Sequence, residues 1–417
     1  MPVGTPNATH TPPHAASLRA LDWLNFFLAA LLMGFGPFVG LYLAERGWVP
    51  ANVGLILTVS GLVGLLTQIP AGELIDMVKA KRALVGVGVA AVTLGILLLG
   101  LRPEFSSVLA AAILQGMAGS VIGPGIAAIS LGLVGHNAFG GRLGRNQRFA
   151  SIGGLTAAAL MGLIGYLLSI RDIFLLIAAL ALPALLVLTS IRASDIHFAR
   201  SCGAADLHPR YPQRSGRDVL LKDRRLRTFA VCLFLFQFAN ASMLPLAGQS
   251  LARTEGSWSS LVLAGLIVVP QLIVALLAPW VGQTADTWGR RPLLLIGLGV
   301  LPVRAAAFAL ISDPLPLVVV QALDGLSGAT LGVLTALVVA DLTKGTGRFN
   351  LAQGLVGTVS GVGAALSTSI TGLVVAGYGQ MAGFLGVAAV GLLAVAILWL
   401  FMPETKSPAL EGKPGSV

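Results

Sequence analysis

Three charged side chains, Asp22, Arg304 and Asp324, stand inside apolar stretches of the chain. A charge at the centre of a bilayer costs about 2.5–3.5 kcal/mol on insertion scales, so each needs a partner or a task. Arg304 lies about eight residues, and Asp324 about nine, from the facing ends of two consecutive apolar runs. At 1.5 Å per helical residue both sit about 12–14 Å deep, which predicts that they pair. Such a pair either ties two helices together or does work, through protonation of Asp324 or an anion competing for Arg304. Asp22 opens the run Asp22-Trp23-Leu24-Asn25-Phe26-Phe27. It reads as a headgroup-level helix cap or as a second proton carrier. The stretch containing Gln237, Asn240, Ser242, Met243, Pro245 and Gln249 is too polar to face lipid. Its amides, with Asn25, Gln115 and Gln271, are candidates to line a cavity or to hydrogen-bond between helices. Gln68 and Gln321 are weaker candidates of the same kind.

A second constellation lies between two apolar runs: Gly282-Gln283-Thr284-Ala285-Asp286-Thr287-Trp288-Gly289-Arg290-Arg291. A carboxylate at that place can accept N–H bonds from a helix start and pair with the guanidinium groups of Arg290 and Arg291. That contact can exist in one arrangement of two helix bundles and break in another; the plainer reading is anchoring of helix ends at headgroups. A degenerate copy, Gly72-Glu73-Leu74-Ile75-Asp76, is followed by Lys79, Lys81 and Arg82. By motif match the Asp286 loop should matter more than the Asp76 loop.

The elements that must hold these groups follow from composition. Of 417 residues 56% are hydrophobic and 11% charged, against about 25% charged in soluble domains. The apolar residues fall in blocks of about 20, the length a helix needs to cross a hydrocarbon core. Twelve spans result, at 18–44, 51–72, 83–101, 106–135, 147–169, 172–191, 227–251, 259–282, 292–311, 315–341, 351–376 and 380–402. Residues 1–17 are polar without an apolar core, so they are not read as a cleavable signal peptide. They and residues 403–417 are tails. The one long polar break, 192–226, divides spans 18–191 from spans 227–402. With both termini on one side, that side carries 22 of the 27 basic residues and the opposite loops carry four. Positive-inside bias makes the basic side cytoplasmic, and explains the formal charge of +10 without a nucleic-acid partner. Cys202 and Cys232 show neither metal-ligand spacing nor a disulfide framework and read as incidental thiols.

Internal echoes support a duplication. Gly72–Asp76 recurs as Gly282–Asp286, and Leu114-Gln115-Gly116-Met117-Ala118-Gly119 recurs as Leu323-Asp324-Gly325-Leu326-Ser327-Gly328, at offsets of 210 and 209. A third pairing sets Asn146 and Gly153 against Asn350 and Gly357.

The 282–291 loop resembles the signature loop of the major facilitator superfamily, Gly-x-x-x-Asp-(Arg/Lys)-x-Gly-(Arg/Lys)-(Arg/Lys), with Thr287 departing from the basic residue usual after the aspartate. With twelve spans and a central linker, the resemblance covers the whole chain between its tails. It implies an all-α membrane fold of two six-helix bundles around a central cavity, working by alternating access. It also implies that Gly72, Asp76, Lys81, Arg82, Gly282, Asp286, Gly289, Arg290 and Arg291 form a conformational latch. The expected function is secondary transport of a small molecule in the bacterial inner membrane by a monomer. Protons are the expected coupling ion, and efflux by antiport is favoured over import or anion exchange. The helix 4 arginine and helix 5 Gly-Pro motif of drug antiporters are absent, which leaves direction open. No Walker loop is present and no cofactor is expected. An enzyme is not expected, since the spans hold no His and no clustered carboxylates. A non-transporting sensor on the same scaffold is the other alternative.

Overall fold

A computed structural model describes residues 14–33, 39, 42–43, 45–167, 169–204, 223–247, 259–311 and 313–406. The outer part of the first span, Gln249 and the middle of the linker therefore lie outside the described residues. The first half contains α1 (Ala15–Met33), α2 (Pro50–Met77), α3 (Lys81–Leu101), α4 (Phe105–Val134), α5 (Phe139–Leu167) and α6 (Arg171–Ser190). The second contains α7 (Arg224–Ala247), α8 (Ser259–Trp288), α9 (Arg290–Leu310), α10 (Leu315–Leu342), α11 (Phe349–Tyr378) and α12 (Gln380–Phe401). Among the described residues, eleven of these twelve have the length and hydropathy to cross a membrane. The twelfth helix is α5, whose first turns carry Arg142, Arg145 and Arg148. Large apolar side chains such as Leu66, Leu186, Leu315 and Leu373 are exposed on the outside of the fold, where the bilayer is their solvent.

Helix ends follow local chemistry. Asp223 caps α7, accepting N–H bonds from Arg225 (2.7 Å) and Leu226 (3.2 Å). Three helices overrun the expected spans at the basic face: α2 to Met77, α8 to Trp288, and α5 back to Phe139 instead of residue 147. At 28 residues α2 is about 42 Å long, more than the hydrocarbon core requires, so its end projects into the headgroup layer.

The two halves pack alike. In the first, α1 lies against α5 and α6, α2 and α3 against α4, and α3 against α6. In the second, α7 lies against α11 and α12, α8 and α9 against α10, and α9 against α12. Glycines set the common register. A side chain at Gly144 would strike the Ala278 carbonyl, and one at Gly354 the Gln68 carbonyl. Likewise Gly153 meets Phe26 of α1, and Gly363 meets Phe234 of α7. All these partners keep offsets of 208 to 210 in sequence. The pairing of Gly153 with Gly357 read from the sequence is therefore off by six residues; Gly363 is the structural counterpart of Gly153. The halves meet through α2 against α11, α5 against α8 and α10, and α4 against α11.

Candidate functional site

Between the halves lie two chambers that share Gln147, Leu331, Gly332 and Thr335. One is about 530 Å³, walled by Asn25, Asn146 and Gln353 among others. The other is about 320 Å³, walled by Gln237, Asn240, Gln271 and Asp324. Of the polar stretch of α7, Ser242 is buried outside this cavity, whereas Gln237 and Asn240 face it, as does Gln271 of α8. Met243 does not: it is buried behind the wall and accepts from Arg304 through Sδ at 3.1 Å. Gln115 lines neither chamber, and its Oε1 is buried without a partner.

Arg304 of α9 and Asp324 of α10 form the ion pair that their matched depth predicts. Arg304 also donates to Asn240 Oδ1, so one guanidinium joins α7, α9 and α10. The two partners differ in environment. The Arg304 side chain is 2% exposed, whereas that of Asp324 is 28% exposed and on the cavity wall. The carboxylate is thus open to the cavity, while its arginine is buried behind it.

Asp22 neither caps a helix nor stands alone. α1 begins at Ala15, so Asp22 is two turns in, and its side chain is 3% exposed. It pairs with Arg142 and, through Oδ2 at 2.7 Å, with Arg145. Arg142 continues the chain by donating to Asn146 Oδ1 (2.8 Å), and Asn146 donates to Ser130 Oγ (2.8 Å). Through these two guanidinium groups and Asn146 the carboxylate ties α1 to α5 and α4. Sequence reading missed this network because Arg142 and Arg145 were placed in a loop.

At the basic face the halves are sealed. Asp76, at the end of α2, accepts from Asn350 N (3.2 Å), Asn350 Nδ2 (2.8 Å) and Leu351 N (2.9 Å) at the start of α11. A carboxylate of one half thereby caps a helix of the other. The beginning of the linker joins the seal: Asn350 Nδ2 donates to Ser201 O (3.1 Å) and Phe349 N to Cys202 O (3.2 Å). Lys81 is buried beneath it, donating to Ile75 O and to Cys202 Sγ (3.4 Å), and the Cys202 thiol donates to Asp76 O (3.1 Å). Burial pushes the Cys202 thiol above its ordinary value. Cys202 is thus a packed member of the seal. Phe139 packs on Phe349, ring centroids 5.9 Å apart, to close the same layer.

The second copy is less engaged across the halves. Asp286 pairs within its own half with Arg290 (3.3 Å), and its side chain is 37% exposed. A Cβ at Gly140, at the start of α5, would lie 3.4 Å from its Oδ1. Arg290 also pairs with Asp341 of α10 (2.8 Å). Gly289, at φ +96°, starts α9 with Glu404 beside it, so Arg290 N (2.8 Å) and Arg291 N (3.0 Å) donate to the Glu404 carboxylate. The motif glycines Gly72 and Gly282 lie where α2 crosses Asn350 and α8 crosses Gly140; a side chain at either would strike the opposing carbonyl. Motif match ranks Asp286 above Asp76, whereas Asp76 makes more hydrogen bonds across the halves, because Asn350 supplies a side-chain donor where the counterpart Gly140 has none. Arg82 donates to Ile191 O, just past the end of α6, within the first half.

A sequence profile of the MFS_1 like family matches residues 18–385. The chain belongs to the major facilitator superfamily. An MFS-type transporter of Mycobacterium tuberculosis (strain ATCC 25618 / H37Rv) is 38% identical over 416 residues, covering 96% of this chain and 98% of the relative. The multidrug resistance protein MdtG of Escherichia coli O17:K52:H18 is 26% identical, covering 98% and 100%. Among solved structures the MFS transporter FucP, in an outward conformation, superposes with a TM-score of 0.74 at 14% identity, covering 93% of this chain and 98% of that one. The superfamily fold expected from the sequence is therefore the observed one, and the chain is a secondary transporter, not an enzyme.

Proposed function

We propose that the protein exports an amphipathic or weakly charged small molecule in exchange for protons, as a monomer in the bacterial inner membrane. The basic face is cytoplasmic in this reading and both termini lie there, in line with the 22 to 4 division of basic residues. The seal at that face then makes the described arrangement outward-facing. The observation that carries the proposal is Asp324: a carboxylate on the cavity wall with its counter-ion buried behind it. Ionised, it is held by Arg304. Once protonated it releases that contact, leaving Arg304 on Asn240 and Met243, and the wall facing the substrate becomes neutral. Gln237, Asn240 and Gln271 supply amides for orientation, while the rest of the wall is largely apolar. The names of two relatives agree with export: MdtG is a multidrug resistance protein, and a tetracycline resistance protein of Escherichia coli is 35% identical over 83 residues. Anion exchange at Arg304 is disfavoured by its burial behind Asp324.

The test uses inverted membrane vesicles with an imposed proton gradient and a panel of fluorescent amphipathic compounds. Accumulation that collapses with the gradient is expected. Loss of a preloaded anion, without accumulation of any compound, would establish exchange instead.

A further inference from the structure

A third cavity, of about 410 Å³, lies away from the transport path, on the lipid-facing flank of the first half at the basic face. It is lined by Lys79, Arg82 and Gly86 at the start of α3, by Leu185 and Leu188 of α6, and by Ile196 of the linker. Its upper rim is cationic and its lower wall apolar. Among the described residues Lys79 has no ionic partner. Arg82 meets no carboxylate among them: it donates to the Ile191 carbonyl, and its Nε is buried without a partner.

The repeat shows what such a place accepts. Under the offset of 210, Lys79 corresponds to Gly289, α3 to α9, and Ser194 to Glu404. In the second half Glu404 fills the place with a carboxylate, taking N–H bonds from Arg290 and Arg291 at the start of α9. In the first half no carboxylate arrives among the described residues. Position 194 is a serine, and its neighbour Asp195 is turned to α1, accepting from Ser17 Oγ (2.7 Å) and His14 N (3.2 Å). The Ser17 hydrogen bond holds the Asp195 carboxyl below its ordinary value, so it stays an anion committed to α1. The first half thus places Lys79 and Arg82 around the equivalent position, with the N–H of Lys81 already given to Lys79 O (3.0 Å), and no carboxylate fills it among the described residues.

We infer that this cavity binds the phosphate of an anionic phospholipid, with the headgroup on Lys79 and Arg82 and the first acyl carbons along Gly86, Leu185 and Leu188. A lipid is favoured over free phosphate because Val87, Leu182 and Leu186, next to the cavity, are exposed on the same flank and meet acyl chains. The site is independent of the direction of transport.

The experiment measures binding of labelled phosphatidylglycerol to the purified full chain in phosphatidylcholine nanodiscs. Saturable binding is expected, falling about thirty-fold in the Lys79→Gln/Arg82→Gln double variant, since a basic residue near a membrane surface contributes about a factor of five to binding an anionic lipid. Ser194→Glu is the second variant: it supplies the carboxylate that Glu404 supplies in the other half. It should displace the lipid while the protein keeps its thermal stability, so a misfolded double variant does not decide the matter. Equal binding by the wild type and Ser194→Glu overturns the inference, as does equal competition by phosphatidylcholine. Displacement by millimolar inorganic phosphate would reassign the site to the free anion.

Discussion

Asp76→Asn is expected to move the protein out of the state sealed at its basic face. The carboxylate now accepts three N–H bonds from the start of α11, at 2.8 to 3.2 Å. Hydrogen bonds to charged groups contribute about 1.5–3 kcal/mol, against about 0.5–1.5 kcal/mol for neutral ones, so loss of the charge costs about 1 kcal/mol per bond. Three bonds give about 3 kcal/mol, a change of about a hundredfold in the ratio of sealed to unsealed protein. The assay is the distance distribution between spin labels at Met77 and Thr346, both exposed at this face on opposite halves. The wild type should show one short population, and Asp76→Asn a second, longer one. Asp286→Asn should change the distribution less, because Asp286 is tied chiefly to Arg290 of its own half. An unchanged distribution in Asp76→Asn, or a larger change in Asp286→Asn, would refute the ordering of the two loops.

Other outcomes follow from the same contacts. Removing one partner of a buried ion pair costs about 3–5 kcal/mol; Asp324→Asn strands Arg304 at 2% exposure, whereas Arg304→Gln leaves Asp324 at 28% exposure on the cavity wall. Thermal unfolding in detergent should therefore show the larger loss in Asp324→Asn, with recovery in the double variant. Gly354→Ala crowds Gln68 across the halves, whereas Gly363→Ala crowds Phe234 inside one half. The first should alter the spin-label distances, and the second should lower stability by about 1–3 kcal/mol. Burial raises the Glu404 carboxyl, but the backbone N–H bonds it accepts outweigh this and hold it below its ordinary value. Its contribution is thus complete above the ordinary glutamate range and lost as pH falls through the lower folded value. Glu404→Gln should cost about 1 kcal/mol at neutral pH and nothing once both proteins are acidified.

Much of this was legible in the chain because charges are scarce where lipid is the solvent. Arg304 and Asp324 could be matched by depth alone, since few other intramembrane charges compete for either. The same reasoning failed for Asp22, whose partners Arg142 and Arg145 lie in a polar-looking stretch. That stretch is nevertheless helix from Phe139, with Arg142 buried against Asp22. The seal was legible only in part. The glycines and aspartates of the loops mark where helices cross, but the strength of each crossing depends on the residue opposite, Asn350 in one case and Gly140 in the other. The role of Cys202 was hidden because a linker gives no periodic signal. Met243 was read as cavity lining because position along α7 does not reveal which side chain turns back toward Arg304.

The most direct test of coupling through Asp324 is the pH gradient in respiring inverted vesicles, followed with an acridine dye, when a transported compound is added. Vesicles with the wild-type protein should lose part of the gradient as protons leave in exchange for the compound. Vesicles with an equal amount of folded Asp324→Asn should keep it. Dissipation by Asp324→Asn equal to that of the wild type would show that the proton travels by another route.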